Sequence, residues 1–449
     1  MHRWIVLFGI LWCLPRVAVG ETTPIAMTLH DDQVTRIEVE YSLTEKDIIR
    51  LSGPLTPEVK KVWASALGQV GKAMTWHYDL YVPPGYGKEK DRRYPCLFIA
   101  SPSGNARLGA MEERIRKEEW IAVMLVESKN SSSNWLPNFC AAHDDVVKRM
   151  RVLEDWKFGT GMSGGARCCS SYPMLRDGFR GVILQAAGLF GGGSLDFYNY
   201  LADEAKKGRQ YLVYGTFGKT DMNLYEAVRI RSTMRGHVVR NVEIFEGGHD
   251  CAPALVIDHA FDWIERMAIF VLPPRNADRE LARHLISRKT EVASKTEGLV
   301  KYEMLEAMTA LVNRNKLTEG KDGDKTLIKK VAIWQDEMKT LAKNEVVKNE
   351  LMSRDEYRKI EAKESPTFET LYPGAQLVKQ TGKNEQPASR RPSGNAKSLH
   401  DKWELDRKAL VGFADEYRKF AKKYKGSIYA ARAEARAKSL DMETTAQNK

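Results

Sequence analysis

Residues 159–169 read GTGMSGGARCC. The fold turns on whether Ser163, set among four glycines, lies on a strained turn or in a loose loop. Gly161-Met162-Ser163-Gly164-Gly165 has the spacing G-x-S-x-G, preceded by strand-like KFGT and followed by helix-like ARCCSSYPML. A strand that turns at once into a helix needs residues without a Cβ where the two elements approach each other, and Gly161 and Gly165 supply them. The serine is then held in a strained conformation with its Oγ exposed at the top of a sheet. The amide of Gly164, at the helix start, points to where an oxyanion would form, with the helix dipole behind it.

Outward from this turn, residues 34 to 270 alternate between two patterns. VTRIEVEYSL and WHYDLYVPPGY read as opening strands, with a helix from Pro57 to Val70 between them. CLFIASPSGN, WIAVMLVES, FGTGMS, GVILQAAGLF, QYLVYGTFGKTD and VEIFEGGHD are short apolar or β-branched runs that end in Gly, Ser, Asn or Asp. Helical patterns lie between them, among them HDDVVKRMRVLEDW and PALVIDHAFDWIERMAIFVL. Such alternation implies a parallel sheet covered on both faces by helices. In sheets of this kind, ligands bind at the edge where the strands end.

A serine hydroxyl is a weak nucleophile at neutral pH and needs a histidine base held by a carboxylate. On a strand–turn–helix elbow the order along the chain is Ser, then Asp or Glu, then His. Asp221 follows QYLVYGTFGKT, in a strand-end loop, and His249 follows the last strand in FEGGHD, with Gly247 and Gly248 shaping its loop. The competing acids fit less well. Asp250 and Asp258 belong to the histidine's own loop or helix, and Asp196 follows the wrong strand. Of the other histidines, His143, His237 and His259 read as surface residues of helices, and His77 as a structural residue on an early strand.

Residues 75 to 270 resemble the alpha/beta-hydrolase family, in particular its secreted esterase branch related to dienelactone hydrolases, polyhydroxyalkanoate depolymerases and small carboxylesterases. The pieces that carry the resemblance are YDLYVPPGY, YPCLFIASPSGNA, GMSGGAR, FRGVILQAAG, YGTFGKTDMN and FEGGHDCAPALVIDHAFDWI. The resemblance implies Ser163 as nucleophile, Asp221 as orienting acid and His249 as general base in ester hydrolysis through an acyl-enzyme. It implies no metal and no organic cofactor. A serine peptidase with the same three residues is the nearest alternative, and an inactive binding protein on this fold is another.

One stretch departs from the family. The loop after the third strand usually begins His-Gly and contributes an oxyanion amide, whereas here it reads Ala100-Ser101-Pro102-Ser103-Gly104-Asn105. Proline has no N–H to offer. The second donor beside Gly164 falls to Ser101, Ser103 or Gly104, with Ser103 favoured. SKNSSSNWLPNFC (128–140) follows the fourth strand, so Trp135 and Phe139 either contact the substrate or pack in a surface loop. LFGGGSLDFYNYL (189–201) is a similar candidate wall.

The remainder of the 449 residues frames this domain. MHRWIVLFGILWCLPRVAVG, residues 1–20, has the basic start, short apolar run and small-residue exit of an export signal. The expected location is therefore outside the cell or in the periplasm. Residues 21–74 form a strand and helix segment joined to the sheet, and 75–273 the catalytic domain. Then come a helical region (274–373), a disordered linker (374–398) and a helical hairpin (399–449) resembling one tetratricopeptide-like unit. Five cysteines follow the signal, with no metal-ligand spacing; an odd number leaves at least one thiol free. Lys and Arg number 33 against 32 Asp and Glu up to residue 270, and 37 against 27 beyond it. The basic excess of the tail lies in alternating Lys/Glu helices, a solvated pattern that speaks against nucleic acid while allowing an anionic envelope partner.

Overall fold

The computed structural model describes residues 31–190, 210–227, 238–270, 278–320, 323–371 and 396–446, together with Tyr200, Glu204, Lys207 and Ile230. The export signal, most of the 189–201 stretch, His237 and residues 374–395 of the linker therefore lie outside the described residues.

Eight strands form one sheet: β1 (Gln33–Ser42), β2 (Ala73–Val82), β3 (Tyr94–Ala100), β4 (Ile121–Leu125), β5 (Val152–Met162), β6 (Phe179–Gln185), β7 (Tyr211–Gly218) and β8 (Val238–Phe245). Their order is β1-β2-β4-β3-β5-β6-β7-β8. β2 pairs antiparallel with both β1 and β4, and every other pairing is parallel. This is the alpha/beta-hydrolase sheet, followed by an all-helical C-terminal region.

The residue pattern explains which strands are central. In β1, Ile37, Val39 and Tyr41 are buried and alternate with exposed Glu38 and Glu40, as in a strand with one face on the core. β3 and β4 are buried along their whole length. Cys96 and Phe98 pack into the apolar layer that contains helices Trp135–Arg149 and Gly164–Leu175. Leu97 and Ile99 face the opposite layer, built on helices Ala254–Phe270, Asp278–Ser294 and Gly298–Arg314.

Two expectations are corrected. β5 begins at Val152, so VLEDW is strand and not the end of a helix. Its polar Glu154 and Asp155 imitate helical spacing, but Asp155 takes φ 59° and the pairing with β6 shifts register at Lys157. His143 is not a surface residue either. It is buried against Phe98, Phe139 and Phe179, donates Nδ1–H to Asp144 at 2.9 Å and accepts at Nε2 from the Lys157 ammonium at 3.0 Å.

Burial, reinforced by Lys157, pushes the His143 pKa down to about 3. The ring is then neutral in the folded protein but takes up a proton in the unfolded chain below its ordinary value of about 6.5. Stability is therefore fully present above pH 6.5 and is lost as the pH falls toward 3, at about 1.4 kcal/mol per pH unit for this group. Urea midpoints measured between pH 7 and pH 4 should drop steeply in the wild type and less steeply in His143→Gln. Parallel slopes would show that His143 does not drive the acid sensitivity.

The tail folds back onto the body. Helices Ala396–Lys423 and Ile428–Ala446 pack Phe413, Tyr417, Phe420 and Tyr429 against Tyr357 and Ile360 of helix Glu345–Leu371. The last helix also covers β8, the outermost strand. Ser439 Oγ accepts from the Ile244 amide at 3.3 Å, and the Arg436 guanidinium donates to the Val242 carbonyl at 3.4 Å. Arg436 is held in turn by an ion pair with Glu364. Among the described residues no helix is long and apolar enough to cross a membrane.

Candidate active site

Ser163 stands between β5 and helix Gly164–Leu175 with φ 54° and ψ −120°, a left-handed backbone that a serine adopts only when its surroundings hold it there. The flanking glycines are what allow it. A Cβ on Gly161 or on Gly165 would lie 2.5 Å from the Ala100 carbonyl oxygen, so strand, turn and helix could not close with larger residues at either place. The Ser163 amide donates to the Gln185 carbonyl at 2.8 Å, which ties the turn to the end of β6.

The three residues singled out in the sequence meet here. His249 Nε2 is 2.9 Å from Ser163 Oγ, and His249 Nδ1 is 2.8 Å from Asp221 Oδ1. The Asp221 carboxylate is fully buried, while the imidazole retains 21% exposure. Asp221 Oδ1 also accepts from the Asn223 amide at 2.8 Å. Its Oδ2 is buried with no hydrogen-bond partner among the described residues.

The loops that present these side chains are locked together. The Thr220 amide donates to the Gly247 carbonyl at 3.0 Å, and Lys219 donates to the Phe245 carbonyl at 2.8 Å. At Gly218 the two loops come so close that a Cβ would lie 2.1 Å from the Gly248 carbonyl oxygen. Gln185 adds a cross-tie that the sequence did not reveal: its side-chain oxygen accepts from the Ala252 amide at 3.1 Å, just past His249. Asn223 does the same for the acid loop, donating from Nδ2 to the Ala186 carbonyl at 2.9 Å. One turn along the elbow helix, Arg167 pairs with Glu226, which also accepts from the Gly188 amide.

The other candidates separate. Phe139 is no wall of the site. It is fully buried on helix Trp135–Arg149 and stacks on Tyr172 with ring centroids 3.7 Å apart. Trp135 opens the same helix, nearly buried against Phe190. Ser103 lies on the exposed loop after β3, with its amide 3.4 Å from Ser101 Oγ. Gly164 begins the helix, as expected. Met222, Tyr225 and Leu255, which follow Asp221 and His249 closely in the chain, are exposed.

Among the described residues, no cluster of three or more His, Cys, Asp and Glu is arranged to hold a metal ion. Cys96, Cys140, Cys168, Cys169 and Cys251 are all free thiols; only Cys251, two positions after His249, is exposed. A serine, a histidine and a carboxylate in an unbroken hydrogen-bonded line, with a helix N-terminus beside the serine, can carry out acyl transfer without further groups.

Several solved structures are similar to part of the chain. A ferulic acid esterase matches at 16% identity over 42% of this chain and 90% of its own, with a TM-score of 0.34. An S-formylglutathione hydrolase from Agrobacterium tumefaciens matches at 11% identity over 54% of this chain and 98% of its own, with a TM-score of 0.33. Oligopeptidase B from Trypanosoma brucei matches at 10% identity over 44% of this chain but only 35% of its own, with a TM-score of 0.31. No protein-family model and no curated protein matches the sequence.

Proposed function

We propose that this chain is an exported serine hydrolase that cleaves carboxylic esters. The observation that carries the proposal is the Ser163–His249–Asp221 line, 2.9 and 2.8 Å in its two links, on an elbow at φ 54°. Ser163 Oγ attacks the ester carbonyl carbon as its proton passes to His249 Nε2. The carbonyl π pair moves onto oxygen, where the Gly164 N–H receives it. When the carbonyl re-forms, the carbon–oxygen bond to the alcohol breaks, and the imidazolium protonates the departing alkoxide. Water, deprotonated by the same nitrogen, then attacks the acyl-enzyme, and collapse returns the acid and free Ser163. Asp221 holds Nδ1–H throughout and offsets the imidazolium charge.

Esters are favoured over peptides by the surroundings of the site. Exposed Met222, Tyr225 and Leu255, close in the chain to Asp221 and His249, suit an acyl or aryl group, with Trp135 as the remaining candidate wall. Residues 33–67, ahead of β2, are taken up by β1 and three short helices, which is not the layout of a separate gating domain. Export rests on the pattern of residues 1–20.

The test is fluorophosphonate labelling of the protein and its Ser163→Ala variant, followed by turnover of short p-nitrophenyl esters and of peptide anilides. Serine-dependent labelling with ester turnover is the expected result. Absence of serine-dependent label would overturn the hydrolase reading, and turnover of anilides alone would replace esterase by peptidase.

A further inference from the structure

We infer that the side-chain amide of Asn130 is the second oxyanion donor, in the place that the sequence assigned to Ser103. The inference rests on the hydrolase reading above.

The first observation is where Asn130 sits. A Cβ on Gly164 would lie 1.6 Å from Asn130 Oδ1 and 3.2 Å from its Nδ2. The Asn130 carboxamide therefore occupies the space that a side chain at position 164 would otherwise fill. Backbone geometry places that terminal oxygen within about 4 Å of the Gly164 nitrogen, the donor already aimed at the developing charge. An oxygen atom bonded to the Gly164 amide would thus lie within reach of the carboxamide as well.

The second observation is what holds it. The Asn130 amide donates to the Pro102 carbonyl at 2.8 Å, and Ser103 pairs with Lys129 in an antiparallel bridge. The loop after β4 is thereby fastened to the loop after β3, the loop that normally supplies the second donor. The proline that removes one N–H thus offers its carbonyl to the backbone N–H of Asn130 and so positions that residue's side chain.

The third observation concerns the competing donors. The Gly104 amide donates to the Ser101 carbonyl at 3.2 Å, and the Asn105 amide to Val126 at 2.9 Å. The Ser103 amide is directed at Ser101 Oγ. The Ser101 nitrogen lies 3.0 Å from the Cβ position of Gly165, crowded against the start of the elbow helix. By contrast, no hydrogen bond among the described residues engages the Asn130 carboxamide. Its terminal torsion is soft and roughly two-fold, so rotation that brings Nδ2 forward sacrifices no bond. Carboxamide side chains are effective oxyanion donors because they offer a fixed dipole that needs no proton transfer.

The test is steady-state kinetics on a short p-nitrophenyl ester for wild type, Asn130→Ala and Asn130→Asp, with thermal melts to verify folding. Asn130→Asp keeps the shape and removes the donors, so it separates hydrogen bonding from packing. Both variants should lose about 100- to 1000-fold in kcat with KM little changed. Affinity for a trifluoromethyl ketone, whose adduct with Ser163 carries an oxyanion, should fall in parallel. Affinity for an uncharged ester-like amide should not. If the wild type turns over ester and both variants stay within about three-fold of its kcat, or lose only in KM, the assignment to Asn130 is overturned while the hydrolase reading stands. A wild-type protein that takes no serine-directed label overturns both.

Discussion

Ester turnover by Ser163→Ala should fall about a million-fold, the loss typical of removing the nucleophile from a serine–histidine–carboxylate unit. The reason lies in how completely the site is organised around one oxygen. Ser163 Oγ is 2.9 Å from the His249 imidazole, which is placed to take its proton, and the left-handed turn that presents it depends on the close approach of Gly161 and Gly165 to the Ala100 carbonyl. Alanine keeps the turn and the helix dipole but leaves nothing to form the acyl bond. The residual rate should come from the donors at the elbow acting on bound water. The measurement is kcat for p-nitrophenyl acetate, with thermal unfolding as control. A variant with a tenth of wild-type turnover and an unchanged melting temperature would exclude Ser163 as nucleophile.

Asp221→Asn should lose about 10,000-fold in kcat while the fold stays intact. Two orientations are open to the new amide, and both fail. With its NH2 toward His249, it cannot accept from Nδ1–H, so the ring must carry its proton on Nε2 and can no longer take one from Ser163. With its carbonyl toward His249 the tautomer survives, but the negative charge that stabilises the imidazolium is gone. The NH2 is then buried at the position where Oδ2 has no partner. The measurement is pre-steady-state acylation of Ser163 by a chromogenic ester. A loss below ten-fold would show that Asp221 does not orient the base.

The elbow and its two partners were legible in the sequence because each depends on local chemistry. Gly161 and Gly165 have to be small for β5 to meet its helix, and Asp221 and His249 each follow a strand within four residues. Other features depend on which elements meet in space, and no local pattern records that. Helix Trp135–Arg149 is buried around most of its circumference, so Phe139 and His143 carry no amphipathic stripe to mark them as core. VLEDW looked helical because residues 153–156 fall out of register with β3, which interrupts the alternation of β5. Asn130 stands among serines that advertise a loop, and only the approach of that loop to Pro102 and Gly164 distinguishes it.

The cover over β8 has a consequence for how the molecule is made. Ile244 and the Ser439 that caps its amide are 195 positions apart in the chain. At about 5 to 20 residues per second, a ribosome takes roughly 10 to 40 s to travel from one to the other. A chain that folded while being synthesised would finish its sheet and then wait through that interval with the outward groups of Val242 and Ile244 bare, inviting a strand from another nascent chain. A chain kept unfolded until translocation was complete would never present that edge, because strand and guard would arrive together.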